Sequence, residues 1–142
     1  MKELIESWIE SGEIQIVERE VDPRFECAAV IARSQHESDR PILFRNIKGS
    51  TLPVASNLFG SRQRLSHYLG AEEGNFCQRW ATLMKNPVQP VAILPEAEAE
   101  FRVARLDELP QLTYHGKDAA PYITSGIFLA NDPETGVPNL SF

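Results

Sequence analysis

The C-terminal stretch constrains the fold more than any other part of the chain. Ile123-Thr124-Ser125-Gly126-Ile127-Phe128-Leu129-Ala130 is an apolar run rich in β-branched and aromatic residues. Such a run, bounded by turn formers, reads as a buried strand. Asp132-Pro133-Glu134-Thr135-Gly136 then reads as a turn. Pro133 fixes its φ, the Asp132 side chain can bond nearby backbone, and Gly136 admits positive φ. Asn139-Leu140-Ser141-Phe142 alternates polar and apolar and reads as the return strand. The expected product is a β-hairpin that stops just after it turns back. An unfinished strand leaves a sheet edge unpaired, so a domain is expected to continue past Phe142.

The rest of the chain is long enough for one domain with a real core, at 142 residues. Its order of elements points to an α/β (α+β) class. Leu4, Ile5, Trp8 and Ile9 recur at helical spacing, which predicts a helix over about 2–11, ended by Gly12. Ile14, Ile16 and Val17 predict a strand. Asp22 and Pro23 read as N-cap and first residue of a second helix, with Phe25, Ala28, Ala29 and Ala32 on its apolar face. Strands are expected over 41–47 and 53–58, a helix from Ser61 to Gly70, and another from about Asn75 to Met84. Trp8 and Trp80 read as core anchors. Pro90–Leu94 reads as extended, and Glu96-Ala97-Glu98-Ala99-Glu100 as an acidic, solvated segment. Together these predict a small mixed sheet flanked by helices.

Charge and motif content exclude several functions. A formal net charge of -6 argues against nucleic acid as the partner, because phosphate binding needs a basic face. No apolar run reaches the roughly 18 residues of a membrane span. The acidic amphipathic N-terminus is unlike a signal peptide. Cys27 and Cys77 are far apart, which predicts neither a disulfide framework nor a zinc site. Cys27 reads as a buried inert thiol, and reduced cysteines without an export signal point to the cytoplasm. No nucleotide loop or nucleophile elbow is present.

Three further segments carry a resemblance when read with the hairpin. They are Glu18-Arg19-Glu20-Val21-Asp22-Pro23, Leu43-Phe44-Arg45-Asn46-Ile47-Lys48-Gly49 and Asn57-Leu58-Phe59-Gly60-Ser61-Arg62-Gln63-Arg64. Leu106-Asp107-Glu108-Leu109-Pro110 adds a domain entry. In order and spacing the chain resembles the UbiD family of reversible, non-oxidative decarboxylases. The resemblance implies an N-terminal α/β domain over 1–110 and the beginning of a split-barrel flavin-binding domain over 111–142.

The resemblance also implies a chemistry for the longer enzyme. The substrate is an aromatic or α,β-unsaturated carboxylic acid, the cofactor is prenylated FMN, and Mn²⁺ and K⁺ sit near its phosphate. Asn139 matches the family's asparagine ligand to Mn²⁺. Ser141 and Phe142 fall at the start of the strand that lies against the flavin. The family's arginine, other metal ligands and catalytic acid come later, so no catalytic residue is expected within this chain, and the fragment alone is expected to be inactive. A flavin prenyltransferase as cofactor supplier and a homo-oligomer are also implied.

Blander readings stand beside these. Asn139 after Pro138 is also an ordinary turn or strand-edge residue. Arg62 and Arg64 can bind an anion at a helix start, or cap, form salt bridges and pack on Tyr68. His36, His67 and His115 read as solvated. The rival function is a stand-alone, non-catalytic docking or accessory module of the same fold.

Overall fold

The computed structural model describes residues 1–72, 74–88 and 105–141. The expected extended segment at 90–94 and the acidic run at 96–100 lie outside them. Helix α1 (Lys2–Glu10) is followed by β1 (Gln15–Val21), α2 (Glu26–Glu37), β2 (Ile42–Ile47) and β3 (Val54–Ser56). Helices α3 (Arg62–Tyr68) and α4 (Phe76–Lys85) come next, then the hairpin strands β4 (Phe128–Asn131) and β5 (Pro138–Ser141). The class is the expected one: a small mixed sheet with helices, then a separate hairpin.

The first sheet runs β1-β2-β3, with β1 parallel and β3 antiparallel to the central β2. The parallel pair needs a crossover, and α2 supplies it. Strand β2 is Ile-Leu-Phe before it turns polar, and Ile42, Leu43 and Phe44 are all buried. A strand covered on both faces carries such continuous apolar runs. Phe44, Ile42, Val21, Cys27, Ile31 and Ile47 form one core cluster under α2. On the other face Leu43 packs with Trp8 and Ile14 under α1. Each fully buried side chain of this size contributes about 1.5–3 kcal/mol.

Strand β1 bulges between Val17 and Glu20, where its register with β2 shifts. The bulge sets Glu18 and Arg19 against Arg45 of β2, and Glu18 stays exposed. The Asn46 amide donates to the Glu18 carbonyl, and Arg45 pairs with the Glu18 carboxylate at 2.7 Å. The first and second shared segments are thus joined edge to edge.

Several expectations are corrected here. Asp22 does not cap α2, which begins three residues after Pro23, at Glu26. The Asp22 carboxylate instead accepts the Arg24 N–H at 2.8 Å, and the Asp22 N–H donates to Glu26 at 2.8 Å. This local bonding closes a loop, and Phe25 enters the helix at φ 70°. The buried stripe of α2 is Cys27, Ile31 and Ser34, which are spaced to share one face; Ala29 and Ala32 are exposed. Trp80 is 51% exposed, because no described element covers its side of α4. The run from Ile123 is a strand only from Phe128, since Thr124-Ser125 makes a turn first, and all of it but Gly126 is exposed.

Candidate functional site

Of the expected site residues, Asn139 and Ser141 stand on strand β5 of the hairpin, which a turn at Asp132–Gly136 closes. Asp132 uses three of its groups to close that turn. Its Oδ1 accepts the N–H groups of Glu134 at 2.9 Å and Thr135 at 2.7 Å. Its own N–H donates to the Val137 carbonyl, and its carbonyl accepts the Gly136 N–H, both at 2.9 Å. Gly136 sits at φ 71°, the left-handed conformation that closes the reversal at little steric cost. The Thr135 backbone N–H, the Thr135 hydroxyl and the Glu134 N–H hold the Asp132 carboxyl below its usual range.

The register then follows: Asn131 faces Pro138, Ala130 faces Asn139, Leu129 faces Leu140 and Phe128 faces Ser141. Antiparallel rungs alternate between bonded and non-bonded pairs. Asp132 bonds Val137, so the Asn131–Pro138 rung is a non-bonded one. Pro138 has no N–H to offer, and at this position the ladder loses nothing by it.

Directly opposed residues share a face of the sheet. One face therefore bears Phe128, Ala130, Asn139 and Ser141, and the other bears Leu129, Leu140, Asn131 and Pro138. Asn139 and Ser141 stand side by side, about 7 Å apart along the strand at roughly 3.4 Å per residue. Phe142 lies outside the described residues. The Asn139 side chain makes no hydrogen bond among the described residues, so its amide oxygen is free to ligate. No group of three or more His, Cys, Asp or Glu stands together among the described residues. The Asn139 amide thus offers a neutral oxygen donor, which alone does not complete a hard-cation site.

The other candidates fall elsewhere. Arg64 is only 11% exposed in its side chain. It pairs with Glu13 at 3.3 Å, donates to the carbonyls of Asp39, Asn57 and Leu58, and lies over the Trp8 ring at 5.8 Å. That set of partners replaces the expected packing on Tyr68, which meets Phe59 edge-on instead. Arg62 lies over Phe76. Both arginines line an open cleft with Ser66 and His67, and Ser61 caps α3 through the Arg64 N–H. His36 and His67 are exposed, and His115 stands 3.7 Å from Asp118 on the rim of an open cleft walled by Ala29, Ala32 and Tyr114.

One connection had no signal in the sequence. The Phe25 N–H donates to the Thr113 carbonyl at 2.9 Å, and the Thr113 N–H donates to the Pro23 carbonyl at 3.1 Å. Leu112 packs on the core cluster beneath α2. The segment leading to the hairpin is therefore fastened to the β1–α2 loop.

Comparison with known proteins covers both parts of the chain. Residues 5–84 match the N-terminal domain of 3-octaprenyl-4-hydroxybenzoate carboxy-lyase, and residues 86–142 match its Rift-related domain. Anhydromevalonate phosphate decarboxylase of Methanothermobacter thermautotrophicus is 36% identical over 131 residues, covering 91% of this chain and 30% of that protein. The evolved dimeric form of the UbiD-class enzyme HmfF from Pelotomaculum thermopropionicum, in complex with prFMN, superposes with a TM-score of 0.80. It is 31% identical, over 99% of this chain and 34% of that one. The same enzyme in complex with FMN gives a TM-score of 0.79 at 32% identity, over 99% of this chain and 32% of that one. The chain spans about a third of the length of the proteins it matches. Since two consecutive domains of one family account for nearly all of the sequence, the chain belongs to the UbiD family of carboxy-lyases.

Proposed function

We propose that this chain is the N-terminal part of a reversible, non-oxidative decarboxylase that acts on an aromatic or α,β-unsaturated carboxylic acid. The observation that carries the reading is the hairpin. Its register puts an unpartnered amide, Asn139, beside Ser141 on one face, and the HmfF complex with prFMN is similar over 99% of this chain. Prenylated FMN supplies the electron sink for loss of CO₂, as cofactors carry the hard chemistry in such enzymes. Asn139 would contribute one oxygen to a Mn²⁺ that neutralises the cofactor phosphate, with K⁺ as the second cation. Ser141, on the same face as Asn139, would lie toward the flavin, and Phe142 is the next cofactor-binding residue of the reading. The remaining ligands and the proton donor come from residues beyond Phe142, so this chain alone is inactive.

The longer protein works in the cytoplasm as a homo-oligomer and takes its cofactor from a flavin prenyltransferase. No helix among the described residues is long and apolar enough to cross a membrane.

Metal titration of the full-length protein tests the reading. Asn139→Ala is expected to weaken Mn²⁺ binding about tenfold or more, by analogy with the loss of partners around a metal. Flavin should then be lost on gel filtration while the metal-free melting temperature stays unchanged. Parent-like retention of Mn²⁺ and flavin would reduce Asn139 to a strand residue.

A further inference from the structure

We propose that Asp132 is a positioning residue for Asn139: its side-chain oxygen sets the hairpin register that brings Asn139 and Ser141 onto one face. The inference rests on the reading of Asn139 as a metal ligand. Its basis is a competition between turn and packing. Strands β4 and β5 have four residues each. Strands this short have few cross-strand pairs between them, and those pairs specify register weakly. The Leu129–Leu140 and Phe128–Ser141 pairs are too few to resist a one-residue slip. Such a slip turns every side chain of β5 to the opposite face, because side chains alternate with a period of two. Asn139 would then point where Leu140 points now.

The turn opposes that slip, and Asp132 is its hub. Two backbone N–H groups, of Glu134 and Thr135, converge on its Oδ1. Its main chain meets Val137 and Gly136. Removing the side chain leaves two N–H groups without their acceptor and frees Glu134 and Thr135 to take other turn geometries. Asparagine retains an oxygen at the same place, and so retains the geometry.

The test compares Asp132→Ala, Asp132→Asn and Asn139→Ala with the parent, all in the full-length protein, with Mn²⁺ and FMN as probes. Mn²⁺ affinity, flavin retention on gel filtration and the metal-free melting temperature are read for each. The expected result is a loss of Mn²⁺ affinity for Asp132→Ala of about tenfold or more, as for partners that orient a ligand. Asp132→Asn should bind like the parent. A lower melting temperature for Asp132→Ala with parent-like Mn²⁺ affinity would overturn the inference while leaving Asn139 in place. Equal losses in Asp132→Ala and Asp132→Asn would overturn it too, because the acceptor geometry would then not be what matters. If Asn139→Ala itself binds Mn²⁺ like the parent, the ligand reading fails, and the positioning role falls with it.

Discussion

Phe25 and Thr113 are joined by a 2.9 Å backbone hydrogen bond, although 87 residues separate them in the intervening sequence. Phe25 holds a φ of 70°, which is costly for an aromatic residue. The bond to Thr113 and the Arg24 guanidinium over its ring, at 5.1 Å, hold it there. The segment around Thr113 therefore belongs mechanically to the first domain, although it matches the second. Tyr122 continues the strap through its N–H to the Leu112 carbonyl at 2.9 Å. Hydrogen exchange on this chain should show the Phe25, Thr113 and Tyr122 amides protected and the β4–β5 amides exchanging fast. Fast exchange at Thr113, or strong protection throughout the hairpin of a monomer, would contradict this arrangement.

The two thiols should separate cleanly by reactivity. Cys27 is 1% exposed, and burial pushes its pKa up to about 11, so little thiolate exists near neutrality. Cys77 is exposed on α4. A disulfide reagent at pH 7.5 should modify one thiol per native chain at once, and the second only after unfolding. Rapid modification of both would contradict the packing of α2 on the sheet.

Acid should loosen the β1–α2 loop. Backbone bonding from Arg24, and then Lys48, lowers the Asp22 pKa below 3.8. Backbone bonding from Asp22, and then Arg19, lowers the Glu26 pKa below 4.5. A carboxyl depressed in the folded state stabilises above its unfolded value, and that stabilisation is lost as pH falls through the folded value. The window therefore lies below about pH 4.5. Urea midpoints measured from pH 7 to pH 3 should fall there, and Glu26→Gln should fall less steeply than the parent. Identical slopes would remove Glu26 from the account.

Gly60 is required by a close approach. A Cβ there would lie 1.9 Å from the Asn57 side-chain oxygen and 2.8 Å from Asp39 Oδ1. Asn57 cannot easily yield, because its amide nitrogen donates to Asp39 at 3.1 Å and to the Arg40 carbonyl at 3.0 Å. Gly60→Ala should cost about 1–3 kcal/mol, the usual range for overpacking. Gly116→Ala, with no atom within 4 Å, is the neutral control. Equal urea midpoints for the two variants would contradict the Asn57–Asp39–Gly60 contact.

What the sequence made legible was local. Helix α1 and its Gly12 end, the central strand, the Ser61 cap and the Asp132–Gly136 turn all follow from spacing and turn chemistry. The misplaced readings depended on partners far away in the chain. Asp22-Pro23 has the composition of a helix start, but the Asp22 carboxylate is taken up by Lys48, 26 residues on, beside the nearby Arg24 N–H. Arg64 reads as an anion binder or as a capping and salt-bridging residue, and only folding surrounds it with three carbonyls and an indole. Trp80 reads as core, but no described element covers it. Asn139 was named from a resemblance, and the face it stands on follows only from its register with Ala130.

The most direct measurement is CO₂ release from a panel of aromatic and α,β-unsaturated carboxylic acids, with prenylated FMN, Mn²⁺ and K⁺ supplied. The account predicts turnover by the full-length protein and none above buffer by residues 1–142 alone. Turnover that follows the 142-residue chain through purification, or a loaded full-length protein inert to every acid in the panel, would contradict it.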